Sequence, residues 1–198
     1  RDYERFAKEA KEICKDRVYT DHLRRYAYGV DASCYSYLPK VVVKAEDERE
    51  VRHLIRLCQQ CGTPFTFRAA GSSLSGQCSS EDVLIVCNDG FKKMEVIDDG
   101  KALKCECGVI GSDANDLLKP YNRKIGPDPA TLATALVGGI LNNNSSGMCC
   151  GTAQNSYKTI RSIRVVLLDG SILDTSDQKS IDQFLKEKPQ MVEDILQL

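Results

Sequence analysis

The sequence lacks a strong excess of charge of either sign, and it lacks long apolar runs. Its 198 residues carry a formal net charge of −1, so no basic field argues for binding to nucleic acid. The longest apolar runs, such as residues 165–168, are far too short to cross a bilayer. No charged and then apolar leader opens the chain, which argues against secretion. We therefore expect a cytoplasmic protein with no transmembrane segment and no nucleic-acid partner.

The ten cysteines lack the spacing of a completed metal site. Cys58 and Cys61 are separated by two residues, as in many zinc sites, but no second pair lies at a suitable distance. No run resembles the C-x₂-C-x₂-C-x₃-C-P pattern of a ferredoxin-type cluster. In a charged chain of average size without a leader, reduced and buried thiols are favoured over disulfides. We predict no metal site in this chain.

What the sequence does contain is a mixed order of short strands and helices. A βαβ start is followed by hairpins with helices inserted, and this order predicts an α+β fold. Gly62 is the expected stop of the second helix, and Asp99 with Gly100 forms the expected turn of a hairpin. Ser112 and Ser180 are the expected N-terminal caps of later helices. The predicted helices cover residues 2–14, 46–61, 112–121 and a last one from 180, and the predicted strands cover 41–43, 65–68, 83–87, 94–98, 102–107, 160–168 and 172–175.

A chain of this length can bury one substantial core or two small ones. The polar, turn-prone stretch Asn88-Asp89-Gly90 is the expected boundary between a small first lobe and a larger second one. The predicted domains are therefore a helical extension at 1–36, a first lobe at 37–90 and a second lobe at 91–198. Because the chain starts at Arg1 rather than methionine, we expect it to be a piece of a longer protein.

Residues 67–77, F-R-A-A-G-S-S-L-S-G-Q, combine two glycines, three serines and one arginine without any acid. Backbone N–H groups in a tight loop form an anion-binding concavity when side chains do not block the approach. Gly71 and Gly76 leave that room, and the serines offer hydroxyl donors. The spacing is neither G-x-x-x-x-G-K-[ST] nor G-x-G-x-x-G. On composition, a phosphate cradle and a plain surface loop remain equally open.

A second region of small residues follows about sixty residues later. It contains Gly138-Gly139 and Asn143-Asn144-Ser145-Ser146-Gly147. Two such regions in one chain favour backbone lining on both sides of one extended ligand. The alternative, two unrelated loops, stays open on these residues alone.

Together, R-A-A-G-S-S-L-S-G-Q at 68–77 and G-P-D-P-A-T…G-G-I-L-N-N-N-S-S-G at 126–147 resemble the FAD-linked oxidases of the vanillyl-alcohol oxidase and p-cresol methylhydroxylase superfamily. D-A-S-C-Y at 31–35 is similar to the branch that contains D-lactate and D-2-hydroxyglutarate dehydrogenases, especially large bacterial proteins with a fused iron–sulfur module. The resemblance runs from about residue 26 to residue 175. It implies a two-lobed FAD-binding domain of the p-cresol methylhydroxylase type, incomplete at its C-terminal end.

The resemblance also implies which residues bind FAD. The first loop would hold the pyrophosphate, residues near 127–134 would lie beside the flavin and its ribityl chain, and the second glycine region would press its backbone against the cofactor. Asn142 departs from the relatives, which often have alanine there. The residues implied are Ala70, Gly71, Ser72, Ser73, Ser75 and Gln77 for the pyrophosphate; Pro127, Asp128 and Thr134 for the flavin and ribityl chain; Gly138, Gly139, Asn143, Ser146 and Gly147 for backbone contact; and Val165 for the adenine.

Covalent members of this superfamily carry a histidine where this chain has Ser72. The only histidines are His22 and His53, and neither lies in the loop. The resemblance therefore implies FAD that is bound non-covalently. Arg68 could add positive charge near the phosphates, although an outward-pointing arginine at the end of a strand is an equal alternative.

The resemblance implies an FAD-dependent dehydrogenase that oxidises a D-2-hydroxy acid such as D-lactate or D-2-hydroxyglutarate. Electrons would pass to a quinone, an iron–sulfur centre or a carrier protein. Catalytic residues and any iron–sulfur cluster would lie beyond Leu198, so we expect this fragment alone to be inactive. Any membrane contact of the longer parent protein is expected to be peripheral. The alternatives are an NADPH-dependent enolpyruvyl-UDP-sugar reductase of the same fold and a non-catalytic nucleotide-binding module.

Overall fold

The computed structural model describes all residues from 1 to 198. Short 3₁₀ turns at Lys15–Arg17 and Lys119–Tyr121 accompany eight helices and eight strands. In chain order the elements are α1 (Tyr3–Cys14), β1 (Val18–Tyr19), α2 (His22–Tyr28), β2 (Val41–Lys44), α3 (Glu48–Cys61), β3 (Phe65–Arg68), β4 (Val83–Val86), β5 (Met94–Ile97), β6 (Ala102–Cys105), α4 (Gly111–Leu118), α5 (Val137–Asn142), α6 (Ser156–Thr159), β7 (Arg164–Val166), β8 (Ile172–Asp174), α7 (Gln178–Glu187) and α8 (Pro189–Leu196).

A four-stranded sheet in the order β1-β2-β4-β3 forms the centre of the first part of the chain. Strands β2, β4 and β3 are parallel, and β1 joins the edge antiparallel to β2. All four residues of β4 are buried, as expected for a central parallel strand covered on both faces. Because β3 and β4 run side by side in the same direction, the segments that follow residues 68 and 86 leave from the same edge of the sheet. This shared edge positions the candidate site.

Helix α3 covers the sheet with an apolar stripe that includes Leu54, Ile55 and Cys58. Asp47 caps its N-terminus by accepting a hydrogen bond from the Glu50 N–H, and Gly62 ends it in the left-handed conformation at φ 62°. The predicted stop at Gly62 is confirmed. Helix α1 packs against α3 through its buried face.

The first 36 residues are integrated with the sheet, because β1 pairs with β2 and α1 packs on α3. A buried ion pair reinforces this junction. The Arg17 guanidinium donates to both carboxylate oxygens of Glu50, at 2.8 and 2.6 Å, and to the Lys44 carbonyl. In this bidentate geometry the guanidinium and the carboxylate satisfy each other's hydrogen-bonding groups, and burying either charge alone would be costly.

The predicted N-cap at Ser112 is wrong. Helix α4 begins one residue earlier, at Gly111, and no side chain caps it. The N–H groups of Gly111 and Ser112 donate instead to the carbonyls of Ala135 and Leu132, at 3.0 Å each. The cap is therefore supplied by a distant loop, and local sequence cannot reveal it. Ser180 is likewise not a cap: Asp177 caps α7, and the Ser180 hydroxyl accepts a hydrogen bond from the Asp174 N–H.

The chain divides into two compact units, residues 1–159 and residues 160–198. The second unit contains the β7–β8 hairpin with α7 and α8, and its first strand is shorter than predicted. The lobe boundaries expected after residues 36 and 90 stay predictions. All ten cysteines are free thiols, and no group of three His, Cys, Asp or Glu side chains gathers as a metal site among residues 1–198. None of the helices combines the length and apolar character needed to cross a membrane.

Candidate functional site

The glycine- and serine-rich loop leaves the carboxyl end of β3 and turns sharply at Gly71. Gly71 adopts φ 76°, and the N–H groups of Ala70, Gly71 and Ser72 donate no hydrogen bond to the protein. Backbone donors that are left free around a left-handed residue are a common way to bind anions. The structure therefore gives the loop the free donors that a phosphate cradle needs.

Arg68 turns into the loop rather than outward. A Cβ placed on Gly71 would lie 2.1 Å from an Arg68 guanidinium nitrogen, so the arginine packs directly beneath the turn. The guanidinium also donates to the Tyr28 carbonyl at 3.4 Å and lies over the Tyr28 ring. A positive charge therefore lies close to the free N–H groups, where it would attract an anion.

Residues 31–35, the D-A-S-C-Y stretch, brace the loop from outside. The Ala32 N–H donates to the Gly71 carbonyl at 3.2 Å, and the Cys78 thiol donates to Asp31 at 3.4 Å. The Tyr35 ring occupies the place that a side chain at Gly76 would need. These contacts fix both ends of the loop, so the free donors are held in one geometry.

Two of the residues expected to bind phosphate also hold the loop together. The Ser73 hydroxyl donates to the Gln77 side-chain oxygen and accepts from the Ser75 N–H at 3.2 Å. These contacts make the segment a serine-stabilised turn. The cofactor roles of Ser72, Ser73, Ser75 and Gln77 stay predictions.

The second glycine region lies against the end of β3. A Cβ on Gly139 would come 3.4 Å from the Ala69 side chain, which places α5 beside the first loop. Gly138 is packed against the protein, because a Cβ there would meet Cys107 at 2.6 Å and its N–H donates to the Cys107 carbonyl. The two small-residue regions are therefore neighbours in space at Ala69 and Gly139, as the hypothesis of two backbone surfaces around one ligand requires.

A cavity of about 430 Å³ lies beside the first loop, within the size range of small-molecule sites. It brings together Ala70 and Thr134, which the resemblance implied, with residues that sequence reasoning missed. The missed residues are Asn88, Asp89, Lys92, Ile110 and Leu136. The signal that could have found the first three is their place directly after β4, at the edge where the loop leaves β3.

The charged groups of this cavity are already paired. Lys92 donates to the Gly108 carbonyl, and Asp89 forms an ion pair with Lys44. Asn88 differs, because its side-chain oxygen is buried and has no hydrogen-bond partner. The cavity wall thus presents one unsatisfied polar side chain.

Asp128 holds a neighbouring loop in place. Its carboxylate accepts hydrogen bonds from the N–H groups of Cys149 and Cys150, at 3.1 and 3.0 Å. Hydrogen bonds from Cys150 and Cys149 lower the pKa of Asp128 to about 2. Gly147 packs so closely that a Cβ would lie 1.9 Å from the Asp128 carbonyl oxygen. Asp128 and Gly147 therefore form an internal clamp, and direct cofactor contact by either residue stays a prediction.

The asparagine-rich turn after α5 is tied down by a buried serine. The Ser156 hydroxyl is 3.0 Å from the carbonyls of Ile140 and Ser145, and the Asn143 side chain accepts from the Ser145 hydroxyl. Asn143 and Ser146 themselves are exposed. Among the remaining predicted residues, Pro127 is buried in the first unit, and Val165 lies on β7 of the second unit, paired with Leu173.

Three features of the structure fit FAD. The loop offers free N–H donors beside an arginine, as a pyrophosphate needs. The facing glycine, Gly139, leaves its Cβ space open except for Ala69. The cavity beside the loop is lined by Asn88, whose side-chain oxygen is buried and has no hydrogen-bond partner.

Comparison with known sequences agrees with this fit. A family profile described as FAD binding domain matches residues 39–176. The chain is 28% identical over 160 residues to D-2-hydroxyglutarate dehydrogenase of Escherichia coli, covering 79% of this chain and 16% of that protein. It is 28% identical over 137 residues to D-lactate dehydrogenase of Archaeoglobus fulgidus, covering 67% of this chain and 30% of that protein. The chain therefore spans less than a third of these relatives.

Solved structures show the same fold. Alkyldihydroxyacetonephosphate synthase matches with a TM-score of 0.75 at 21% identity, over 88% of this chain and 35% of that one. p-Cresol methylhydroxylase with substrate bound matches with a TM-score of 0.74 at 17% identity, over 87% of this chain and 35% of that one. The predicted α+β fold of the p-cresol methylhydroxylase type is confirmed. The chain belongs to the FAD binding domain family of FAD-linked oxidases, and its cofactor is FAD.

Proposed function

We propose that this chain is the FAD-binding portion of a dehydrogenase that oxidises a D-2-hydroxy acid, such as D-2-hydroxyglutarate or D-lactate. The observation that carries the proposal is the set of free N–H groups at Ala70, Gly71 and Ser72, in a loop that lies beside a second small-residue region inside the matched family region. The names of the relatives, D-2-hydroxyglutarate dehydrogenase and D-lactate dehydrogenase, support the substrate class.

In the proposed enzyme, this chain binds and orients the cofactor. The free N–H groups after β3 hold the pyrophosphate, and the Arg68 guanidinium beneath them offsets its charge. Thr134 and Leu136 line the cavity together with Ala70. FAD, when bound, supplies the redox chemistry by accepting the electrons of the substrate.

Substrate-binding and catalytic groups come, in this proposal, from regions outside these 198 residues, and so does any iron–sulfur cluster. Electrons then pass to a quinone, an iron–sulfur centre or a carrier protein. We propose a cytoplasmic location, with peripheral membrane contact where the acceptor is a membrane quinone. The fragment alone binds FAD without turning over a hydroxy acid.

Two measurements test the proposal. Titration of the purified chain with FAD, followed by flavin fluorescence, should show saturable binding with a stoichiometry of one. In a protein extended to the length of the relatives, D-2-hydroxyglutarate or D-lactate should bleach the flavin absorbance, whereas NADPH should not. Bleaching by NADPH alone would support the enolpyruvyl-UDP-sugar reductase instead. Rapid bleaching of the isolated chain by a hydroxy acid would contradict the placement of the substrate groups elsewhere.

A further inference from the structure

Asn88 lies where the backbone leaves the central strand β4 and enters the cavity wall. Its side-chain oxygen is buried, accepts no hydrogen bond, and belongs to a residue that lines the cavity. An unsatisfied buried polar atom costs folding free energy, and native proteins seldom leave one without a role. Only one other buried side-chain oxygen, that of Ser79, lacks a partner in the described chain.

The other polar groups of the cavity offer no partner to this oxygen. The Lys92 ammonium donates to the Gly108 carbonyl, the Thr134 hydroxyl donates to the Thr131 carbonyl, and the Asp89 carboxylate can only accept, so none of them donates to Asn88. The oxygen makes no hydrogen bond inside the protein, so a turn of the Asn88 amide about χ2 would break no hydrogen bond of the oxygen. The amide is therefore free to serve a ligand.

The ligand group that Asn88 needs must donate a hydrogen bond. Phosphate oxygens only accept, so the pyrophosphate cannot satisfy the amide oxygen. Ala70, from the loop with the free N–H groups, lines the same cavity as Asn88. In FAD the pyrophosphate is flanked on both sides by hydroxyl-bearing sugars, the ribityl chain and the ribose. The ring N–H and the adenine amino group of FAD lie farther from its phosphates than these hydroxyls do, so a sugar hydroxyl is the donor that best matches a residue sharing the cavity with the loop.

We propose that Asn88 is a cofactor-binding residue whose amide oxygen accepts a hydrogen bond from a sugar hydroxyl of FAD. This inference rests on the proposed binding of FAD in this cleft. It assigns a binding role to a residue that sequence reasoning treated as part of a domain boundary. It also explains why an unpartnered polar group is kept beside the core strand β4.

The test compares Asn88→Leu with Asn115→Leu in the full 198-residue chain. Asn115 is the matched control, because its side-chain oxygen already accepts a hydrogen bond from the Ile125 N–H at 2.9 Å. Asn88→Leu should weaken FAD binding about 3- to 10-fold, the value of one neutral hydrogen bond, and leave the melting temperature without FAD unchanged or higher. Asn115→Leu should lower the melting temperature and leave FAD affinity nearly unchanged.

Titration with ADP and with FMN identifies the sugar. A loss confined to ADP assigns the ribose, and a loss confined to FMN assigns the ribityl chain. Equal FAD affinity in wild type and Asn88→Leu would overturn the inference, as would a fall in melting temperature equal to that of Asn115→Leu. Asn88→Ala repeats the comparison if leucine prevents folding. Absence of FAD binding by the wild type would instead remove the proposed function itself.

Discussion

Gly71 provides the sharpest test of the phosphate cradle. Its φ of 76° lies in the left-handed region, which costs an L-residue about 1–2 kcal/mol. A Cβ there would also lie 2.1 Å from an Arg68 guanidinium nitrogen, so the arginine must move. Gly71→Ala should therefore lower the melting temperature by about 2–8 °C in a chain of this length. If the loop relieves the strain by changing its turn, the free N–H groups no longer converge, and FAD affinity should fall at least tenfold because charge-assisted hydrogen bonds are lost.

Gly62→Ala is the matched control for this prediction. Gly62 has a similar φ of 62° and nothing within 4 Å of its Cβ position, but it ends helix α3 instead of lining the cleft. The control should lose similar stability and keep its FAD affinity. Differential scanning fluorimetry without FAD and fluorescence titration with FAD separate the two effects. Equal FAD affinity in both variants would refute the assignment of the loop as the phosphate cradle.

The Arg17–Glu50 pair should make the fold sensitive to acid. Hydrogen bonds from Arg17 lower the pKa of Glu50, so the pair stabilises the chain fully above the ordinary carboxyl pKa of about 4.3 and is lost as pH falls below it. Urea unfolding midpoints measured from pH 7 to pH 3.5 should show this loss. Glu50→Gln should lower the free energy of unfolding by about 3 kcal/mol at pH 7, and its midpoint should fall less steeply with acid than that of the wild type. An equally steep fall in the variant would contradict the reasoning. Asp128→Asn should speed amide hydrogen exchange at residues 147–151, because the carboxylate holds this loop, and should leave exchange in α3 unchanged. Unchanged exchange at residues 147–151 would contradict the role of Asp128 as a clamp. Because the resemblance places Ser72 where covalent members of the superfamily carry histidine, we expect acid precipitation to release all the flavin, and retained yellow protein would contradict non-covalent binding.

Local patterns predicted the elements whose stability is local. Helix α3 carries its own cap and stop, and β4 is a short apolar run that is buried whole, whereas β3 is only partly buried. The predicted bounds at these elements agree with the structure within two residues. The expected cap at Ser112 failed because the N–H groups of α4 are satisfied by carbonyls about twenty residues away. A capping pattern in the sequence predicts only caps from neighbouring residues, and hydrogen bonds from distant residues can replace such a cap.

Of the residues that line the cavity, the sequence indicated Ala70 and Thr134 and not the others. Small residues in two regions indicated the two walls, because only bare backbone leaves room for a ligand. Asn88 gave no such indication. A polar residue before Asp89 and Gly90 is typical of a turn, and only the parallel pairing of β3 with β4 brings it to the edge that the first loop occupies. Topology, rather than composition, makes it a candidate ligand residue.

The glycines of the second region illustrate how a small residue serves two different neighbours. At Gly147 the missing side chain leaves room for Asp128, and at Gly138 it leaves room for Cys107. At Gly139 the nearest atom to a Cβ is 3.4 Å away, an ordinary contact. Gly147 and Gly138 therefore allow two parts of the protein to pack closely, and of the three only Gly139 keeps space beside the first loop. It follows that two of these three glycines make room for the protein's own groups, and a sequence motif that spans all three cannot by itself separate residues that bind a cofactor from residues that hold the binding residues in place.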